Sequence, residues 1–316
     1  MPRDGRGRPL PRFSLSMPGV VHVFRRMSRR HYLHAYAFIA PVVILFGLFR
    51  VWPSLQTLYF SVFNVELLKQ QLTFVGLSNF RDMLQDPIFR QALVNTLIYA
   101  AVIVPVSTVL ALLLAVVFTE EFGLKDLFKA VYFSPTVTST TAAAVVWWWM
   151  YNPQFGLFNV ILKLLHLPPQ PWLMSSHMAL SAVIIFSVWK TLGYNMVIYI
   201  AGLQAVPVMF QEAATLDGAS PFRRFLSITV PLLAPTTIFI MIYNMIFALQ
   251  VFDQVFVLTS GGPANSTNVV VLELYHQAFR RYRFGYASAE ATVLFAIILV
   301  VTVFQYVYSR RFEVAY

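Results

Sequence analysis

The sequence predicts an all-α membrane protein that crosses the bilayer six times. Three observations support this: 58% of the 316 residues are hydrophobic, only 11% are charged, and six apolar stretches approach the roughly 20 residues that a transmembrane helix needs. Soluble domains carry about a quarter charged residues. The chain has no cysteine, which excludes disulfides, thiol catalysis and cysteine-based zinc sites.

The six spans follow from the positions of these apolar stretches. They cover residues 33–62, 92–118, 131–151, 178–203, 231–256 and 289–309. Arg50 interrupts the first span shortly before Pro53, so we expect its long side chain to reach water at the outer interface. The spans define a transmembrane domain at 33–309, between a basic tail at 1–32 and a short tail at 310–316.

The N-terminal tail carries much of the positive charge. The formal net charge is +10, and eight arginines occur in the first thirty residues: Arg3, Arg6, Arg8, Arg12, Arg25, Arg26, Arg29 and Arg30. A basic patch is found in nucleic-acid binding proteins, but this one adjoins an apolar stretch, which favours a positive-inside anchor and no nucleic-acid partner. Nothing like an A-x-A cleavage site follows the stretch, so we expect the anchor to be uncleaved.

The positive-inside rule also predicts the orientation of the chain in the membrane. With the tail inside, six spans also place the C-terminus in the cytoplasm, and the inner segments then hold 14 Lys and Arg residues against about eight in the outer ones. The excess comes from the tail, so the orientation depends mainly on it.

The outer connections are the longer ones. Residues 64–90 are expected to form an exposed loop with short helical pieces. Residues 152–177 are rich in proline, which favours extended backbone. A turn cluster at 259–265 precedes an amphipathic helix predicted at 269–281.

Catalytic and metal-binding motifs are missing from the sequence. There is no G-x-x-x-x-G-K-[ST] phosphate loop and no H-E-x-x-H spacing. The six histidines are scattered, mostly near span ends. Glu120, Glu121 and Asp126 form an acidic cluster without a metal-binding pattern. We therefore predict no catalytic residue and no metal site.

The loop at 204–230 combines polar residues with helix signals. Residues 211–216 are good helix formers, and Gly218 can adopt positive φ and end that helix. Ser220 can cap a second helix with Pro221 at its first position. The pattern alone fits an ordinary interfacial loop as well as an element that docks on a partner.

Several short motifs decide between these alternatives. Glu212-Ala213-Ala214, Gly218 and Pro231 resemble the EAA loop of permease subunits of binding-protein-dependent ABC importers, with Asp217 and Ala219 placed as in the carbohydrate-uptake branch. Further matches are Ala40-Pro41, Trp52-Pro53, residues 75–80, Asn95-Thr96, residues 187–190 and residues 259–263. Together they are similar to the maltose-type and glycerol-3-phosphate-type permeases over residues 33–313. The arginine-rich extension departs from the family pattern.

The resemblance implies a type I importer permease fold in the cytoplasmic (inner) membrane of a bacterium or archaeon. It implies a dimer of ATP-binding subunits, which would hold ATP and Mg, an extracytoplasmic solute-binding protein, and a second homologous permease, since the subgroup favours a heterodimer. This chain would hold no cofactor. The EAA loop would act as a cytoplasmic coupling helix through Glu212, Ala213, Ala214, Asp217, Gly218 and Ala219. Arg223 and Arg224 would either join that contact or anchor the loop at the lipid surface.

A solute path in a membrane should show polar and aromatic groups on a common face. The candidate residues in the fourth and fifth spans are Trp189, Lys190, Tyr194, Asn195, Tyr243, Asn244, Phe247, Gln250 and Asp253. Aromatic faces and hydroxyl-binding amides and carboxylates suit a sugar or a sugar-like solute. The same residues also fit a role in holding helices together or shaping the pore without touching solute, which the sequence pattern by itself favours, and Asp253 is a candidate partner for the charge of Lys190.

Two other functions compete with an importer subunit. A membrane transferase would need clustered acidic or histidine residues at a membrane-edge loop. A secondary transporter would need buried carboxylates or paired half-helices in two related halves. The sequence shows neither pattern, and it does not identify the solute among oligosaccharides, polyols and glycerol-3-phosphate.

Overall fold

The computed structural model describes residues 29–66, 71–120 and 123–309. Most of the predicted basic tail, Glu121, Arg310 and Arg311 lie outside the described residues. The chain divides after Leu55 into two compact units.

The described part of the first unit, residues 29–55, is helical. Helix α1 (Arg29–Phe46) runs through a π-helical turn, Gly47–Val51, into α2 (Trp52–Phe60), which continues into the second unit. Arg50 is exposed in the π-helical turn, where its carbonyl accepts a hydrogen bond from the Ser54 hydroxyl at 2.8 Å. The stretch Tyr36–Phe60 is long and apolar enough to cross a membrane, in agreement with the first predicted span.

Besides a 3-10 helix (Trp172–Met174) and π-helical turns at Phe225–Thr229 and His276–Arg280, the second unit contains thirteen further α-helices and one small hairpin in the described part of the chain. In chain order these elements are β1 (Phe63–Glu66), β2 (Gln71–Phe74), α3 (Ser78–Gln85), α4 (Pro87–Thr119), α5 (Lys125–Val137), α6 (Thr140–Met150), α7 (Leu157–Leu164), α8 (Ala179–Gln204), α9 (Val208–Leu216), α10 (Pro221–Arg224), α11 (Val230–Leu232), α12 (Ala234–Leu249), α13 (Asp253–Leu258), α14 (Val270–Tyr275) and α15 (Phe284–Ser309). The antiparallel hairpin β1–β2 lies where the sequence predicted a loop with helical pieces only.

Three predicted spans are continuous helices of the second unit. Helices α4, α8 and α15 match the second, fourth and sixth predictions and are long and apolar enough to cross a membrane. Local signals fix the start of α4: Asp86 caps this helix by accepting from the Ile88 amide at 2.8 Å, with Pro87 at the first helical position.

The third and fifth predicted spans are broken. The third consists of α5 and α6, separated at Thr138 and Ser139. The fifth contains α12, bent by 64° against the helical stretch before it and followed by the non-helical residues 250–252 and the short α13. Within the described residues, four helices and one bent pair meet the requirements for a span, so the count of six stays a prediction.

Helix α8 lies at the centre of the packing. It contacts α4 and α5 extensively, and α12 packs on α4 and α15. Small residues bring the backbones close: a Cβ added at Gly193 would lie 2.1 Å from the Tyr132 carbonyl oxygen of α5. Close backbone approach at small residues is a general feature of helix packing in membranes.

Two of the sequence motifs hold the loops of the second unit in place. The Asn95 amide donates to the carbonyls of Asn265 and Asn268 at 2.9 and 2.8 Å, and the neighbouring Thr96 hydroxyl accepts from the Val270 amide at 3.0 Å. The Asn79 amide donates to the Ser61 and Phe63 carbonyls at 2.9 and 3.0 Å. These motif residues thus satisfy buried backbone groups, as the folded chain requires.

Candidate functional site

A cavity in the described part of the second unit lies between α4, α8 and α12. It has a volume of about 510 Å³. Of the nine residues predicted to face a solute path, seven line it: Lys190, Tyr194, Tyr243, Asn244, Phe247, Gln250 and Asp253. The other two lie elsewhere. Trp189 packs on Trp147 at a ring distance of 5.1 Å, and Asn195 is fully buried, with no hydrogen-bond partner for its amide among the described residues.

The break after α12 opens directly into this cavity. Residues 250–252 have no helical hydrogen-bonding pattern, and all three line the cavity, together with Asp253 and Gln254 of α13. Irregular backbone at membrane depth is tolerated where it lines a polar cavity. The break therefore places the polar side chains of Gln250, Asp253 and Gln254 at the cavity wall.

The amine of Lys190 does not pair with Asp253. It donates to the Thr138 carbonyl at 2.5 Å, to the Thr138 hydroxyl at 3.3 Å and to the Pro135 carbonyl. These acceptors lie at the end of α5, where carbonyls have no helical partner and a cation is favourable. The charge of Lys190 thus stabilises the break in the third predicted span.

Aromatic rings form one side of the cavity. Tyr243 contacts Tyr194 at a ring distance of 5.0 Å and Phe247 at 4.6 Å. Polar groups from α4 complete the wall and were missed by the sequence reasoning, although Tyr99 and Ser107 recur at helical spacing. The Gln254 amide donates to the Tyr99 hydroxyl at 2.9 Å, and the Asn244 amide donates to the Ser107 hydroxyl at 3.4 Å.

The 208–224 segment contains the predicted helix–glycine–helix arrangement. Helix α9 ends in a Schellman motif, in which the Ala219 amide donates to the Ala214 carbonyl at 2.9 Å and the Gly218 amide to the Thr215 carbonyl at 3.0 Å. Gly218 has φ +76°, the left-handed conformation that glycine adopts without strain. Ser220 then caps α10, with Pro221 at its first position.

Side-chain bonds hold this segment against its neighbours. The Gln211 amide donates to the Thr229 hydroxyl at 2.9 Å, and the Arg224 guanidinium donates to the Thr215 hydroxyl across the glycine break. Arg224 is therefore tied within the segment, whereas Arg223 is exposed.

The outward side of the 208–224 segment is both charged and apolar. Glu212, Ala213 and Asp217 are exposed. Leu216 is 90% exposed and Phe222 is 72% exposed, on either side of the glycine break. The sequence reasoning did not single out these two apolar residues. Exposed apolar side chains rimmed by polar ones are typical of a surface that binds a partner.

A buried acidic network lies between α14, the π-helical turn His276–Arg280 and α15. Glu273 is 1% exposed and accepts from Asn268, Gln277 and Arg281, each at 2.8 Å. Burial lowers the pKa of the nearby His276 imidazole. Glu290 is fully buried, and neither of its carboxyl oxygens has a hydrogen-bond partner among the described residues. The sequence reasoning missed Glu290 because it stands at the edge of the last apolar stretch.

Comparison with known proteins identifies the family. Residues 84–314 match the family described as "Binding-protein-dependent transport system inner membrane component". The chain belongs to this family.

Named members of this permease family are similar over most of their length. A probable ABC transporter permease protein of Pyrococcus horikoshii is 34% identical, over 86% of this chain and 93% of the relative. The sn-glycerol-3-phosphate transport system permease protein UgpA of Agrobacterium fabrum is 34% identical, over 87% and 94%. The trehalose/maltose transport system permease protein MalF of Thermococcus litoralis is 35% identical, over 85% and 90%.

A solved structure shares the fold of this permease. A chain of a bacterial alginate ABC transporter, crystallised in complex with an alginate pentasaccharide-bound periplasmic protein, superposes with a TM-score of 0.79 at 22% identity. The match covers 90% of this chain and 96% of that one. The chain is thus a multi-pass inner membrane protein with the type I ABC permease fold, and it is a transport subunit rather than an enzyme.

Proposed function

We propose that this permease carries a sugar or sugar-like solute across the membrane through the cavity between α4, α8 and α12, driven by ATP hydrolysis on a separate subunit. An extracytoplasmic binding protein delivers the solute. The support comes from the relatives named for trehalose/maltose and sn-glycerol-3-phosphate transport, and from the aromatic and amide lining of the cavity.

The observation that carries the coupling part of the proposal is the exposed surface of the 208–224 segment. Leu216 and Phe222 are 90% and 72% exposed beside the carboxylate of Glu212. A partner with an apolar cleft and a nearby basic group would cover this surface, and burying two large apolar side chains contributes about 1.5–3 kcal/mol for each.

We assign this partner as an ATP-binding subunit that holds ATP and Mg. Its contacts in this chain are Glu212, Ala213, Ala214, Asp217, Gly218 and Ala219. Arg224 supports the segment from within, and Arg223 lies beside the contact.

The assembly has a second homologous permease and two ATP-binding subunits. Both termini of this chain and the 208–224 segment lie on the cytoplasmic side. This arrangement follows from the positive-inside rule applied to the N-terminal arginines.

An uptake experiment tests the proposal against an ion-gradient transporter. The chain is reconstituted with its second permease, its ATP-binding subunits and its binding protein in vesicles, and uptake of labelled trehalose, maltose and sn-glycerol 3-phosphate is measured. The proposal predicts uptake of at least one of them that requires ATP and the binding protein and persists with ionophores. Uptake that stops with ionophores and runs without ATP would contradict it.

A further inference from the structure

The two charged side chains at the cavity wall differ in how many hydrogen bonds they can still form with a solute. Lys190 and Asp253 are the charged residues of the described lining. A lysine amine has three N–H donors, and Lys190 directs three hydrogen bonds to groups at the end of α5. An anionic solute would have to displace these contacts to gain a hydrogen bond from the amine.

The carboxylate of Asp253, in contrast, keeps its hydrogen-bonding capacity for a solute. Its side chain is exposed at the cavity, and within residues 29–66, 71–120 and 123–309 it has no hydrogen bond or ion pair. A carboxylate accepts through two oxygens and donates nothing when ionised. It therefore binds hydroxyl groups strongly and repels a phosphate or a carboxylate.

The groups around Asp253 favour the same kind of solute. Phe247 is 60% exposed and continues the ring contacts of Tyr243, so an apolar face is open to the C–H surface of a sugar ring. Gln250 offers an exposed amide beside it. The volume of about 510 Å³ is within the range of about 300–1,000 Å³ that suits ligands of drug size, which includes a disaccharide.

We propose that the solute is an uncharged polyhydroxylated sugar and that Asp253 sets this charge selectivity. The inference rests on the proposed function and narrows it, because it excludes glycerol phosphates and acidic sugars from the cavity. Asp253 accepts hydrogen bonds from hydroxyl groups of the sugar, and Lys190 keeps the cavity wall in shape.

Saturation-transfer difference NMR tests the inference on the assembled transporter in nanodiscs, without the binding protein. The probes are glucose, trehalose and maltotriose on one side, and sn-glycerol 3-phosphate and glucuronate on the other. We expect signal from at least one neutral sugar and none from the anions. Asp253→Asn should weaken sugar binding about tenfold, because a hydrogen bond to a charged acceptor is stronger than one to a neutral acceptor. Asp126→Asn, which changes an exposed carboxylate on α5, should leave the signal unchanged.

Three results would overturn the inference: binding of an anion by the wild type, absence of signal from every neutral sugar, or unchanged sugar binding in Asp253→Asn. ATPase activity and ATP-driven uptake of the same preparation report separately on the proposed function. An active importer that binds sn-glycerol 3-phosphate would therefore refute the selectivity while leaving the importer intact.

Discussion

Substituting Gly218 by alanine changes the backbone of the 208–224 segment without creating a clash. Gly218 has φ +76°, and no other described atom lies within 4 Å of a Cβ added there. The cost is therefore the left-handed conformation itself, about 1–2 kcal/mol for a residue with a Cβ. A change of this size lowers the ratio of bent to unbent segment about 5- to 30-fold.

We expect ATP-driven uptake to fall several-fold in Gly218→Ala, by at most the roughly 5- to 30-fold change in the ratio of bent to unbent segment. The amount of chain in the membrane should stay the same. The assay is uptake of labelled sugar into vesicles containing the full transporter, normalised to the reconstituted chain. Gly218→Asn should retain most of the uptake, because asparagine enters the left-handed region more readily than other residues with a side chain. Gly123→Ala is the matched control, because its Cβ also meets open space but its φ lies outside the left-handed range.

Two results would refute this reasoning. Full uptake in Gly218→Ala would show that the bend at residue 218 does not limit coupling. Equal losses of uptake in the alanine and asparagine variants would show that any side chain at residue 218 blocks a contact. The cost of the left-handed backbone conformation would then not be the cause.

Three further predictions concern the packing of the helices, and thermal unfolding in detergent checks each of them. Gly193→Ala should lower the free energy of unfolding by about 1–3 kcal/mol or more, and with it the unfolding midpoint, because its Cβ would lie 2.1 Å from a backbone oxygen of α5. An unfolding midpoint equal to that of Gly123→Ala would contradict this close packing. Glu290→Gln should leave the unfolding midpoint unchanged or raise it, because the Glu290 carboxyl group is buried without a hydrogen-bond partner among the described residues. Glu273→Gln should lower the midpoint, because it breaks the ion pair with Arg281 at 2.8 Å. A lower midpoint in Glu290→Gln than in Glu273→Gln would refute these roles of the two carboxyl groups. Lys190→Met should cost about 1–3 kcal/mol by leaving the Thr138 carbonyl at the end of α5 unpaired, whereas the Pro135 carbonyl keeps its hydrogen bond from the Thr138 hydroxyl. An unchanged midpoint would show that the amine is dispensable there.

The local structure of the 208–224 segment follows from residues whose effects are short-range. Gly218, Ser220 and Pro221 act on their own or adjacent backbone groups, so their sequence order is sufficient to predict a helix end and a new helix start. The continuous helices α4, α8 and α15 were predictable for a similar reason, because hydropathy is a property of each stretch by itself.

The breaks in the spans could not be predicted in this way. Pro105 lies inside the continuous helix α4, whereas residues 250–252, which contain no proline or glycine, interrupt the fifth predicted span. A break of this kind depends on long-range partners, such as the Gln254 amide bonded to Tyr99, 155 positions away in sequence. The partner of Lys190 was missed for the same reason, because backbone carbonyls of another helix leave no pattern in the sequence.

Site-directed cross-linking at the 208–224 segment tests the coupling assignment most directly. The chain has no native cysteine, so Ala213→Cys, at an exposed position of α9, creates a unique attachment site for a photoactivated cross-linker. In membranes containing the assembled transporter, the account predicts an adduct with the ATP-binding subunit that is lost when Glu212→Lys is added, and no such adduct from Ser176→Cys in the loop before α8. A cross-linker at residue 213 that reaches only lipid or another part of this chain would contradict the assignment of the segment as the contact with the ATPase.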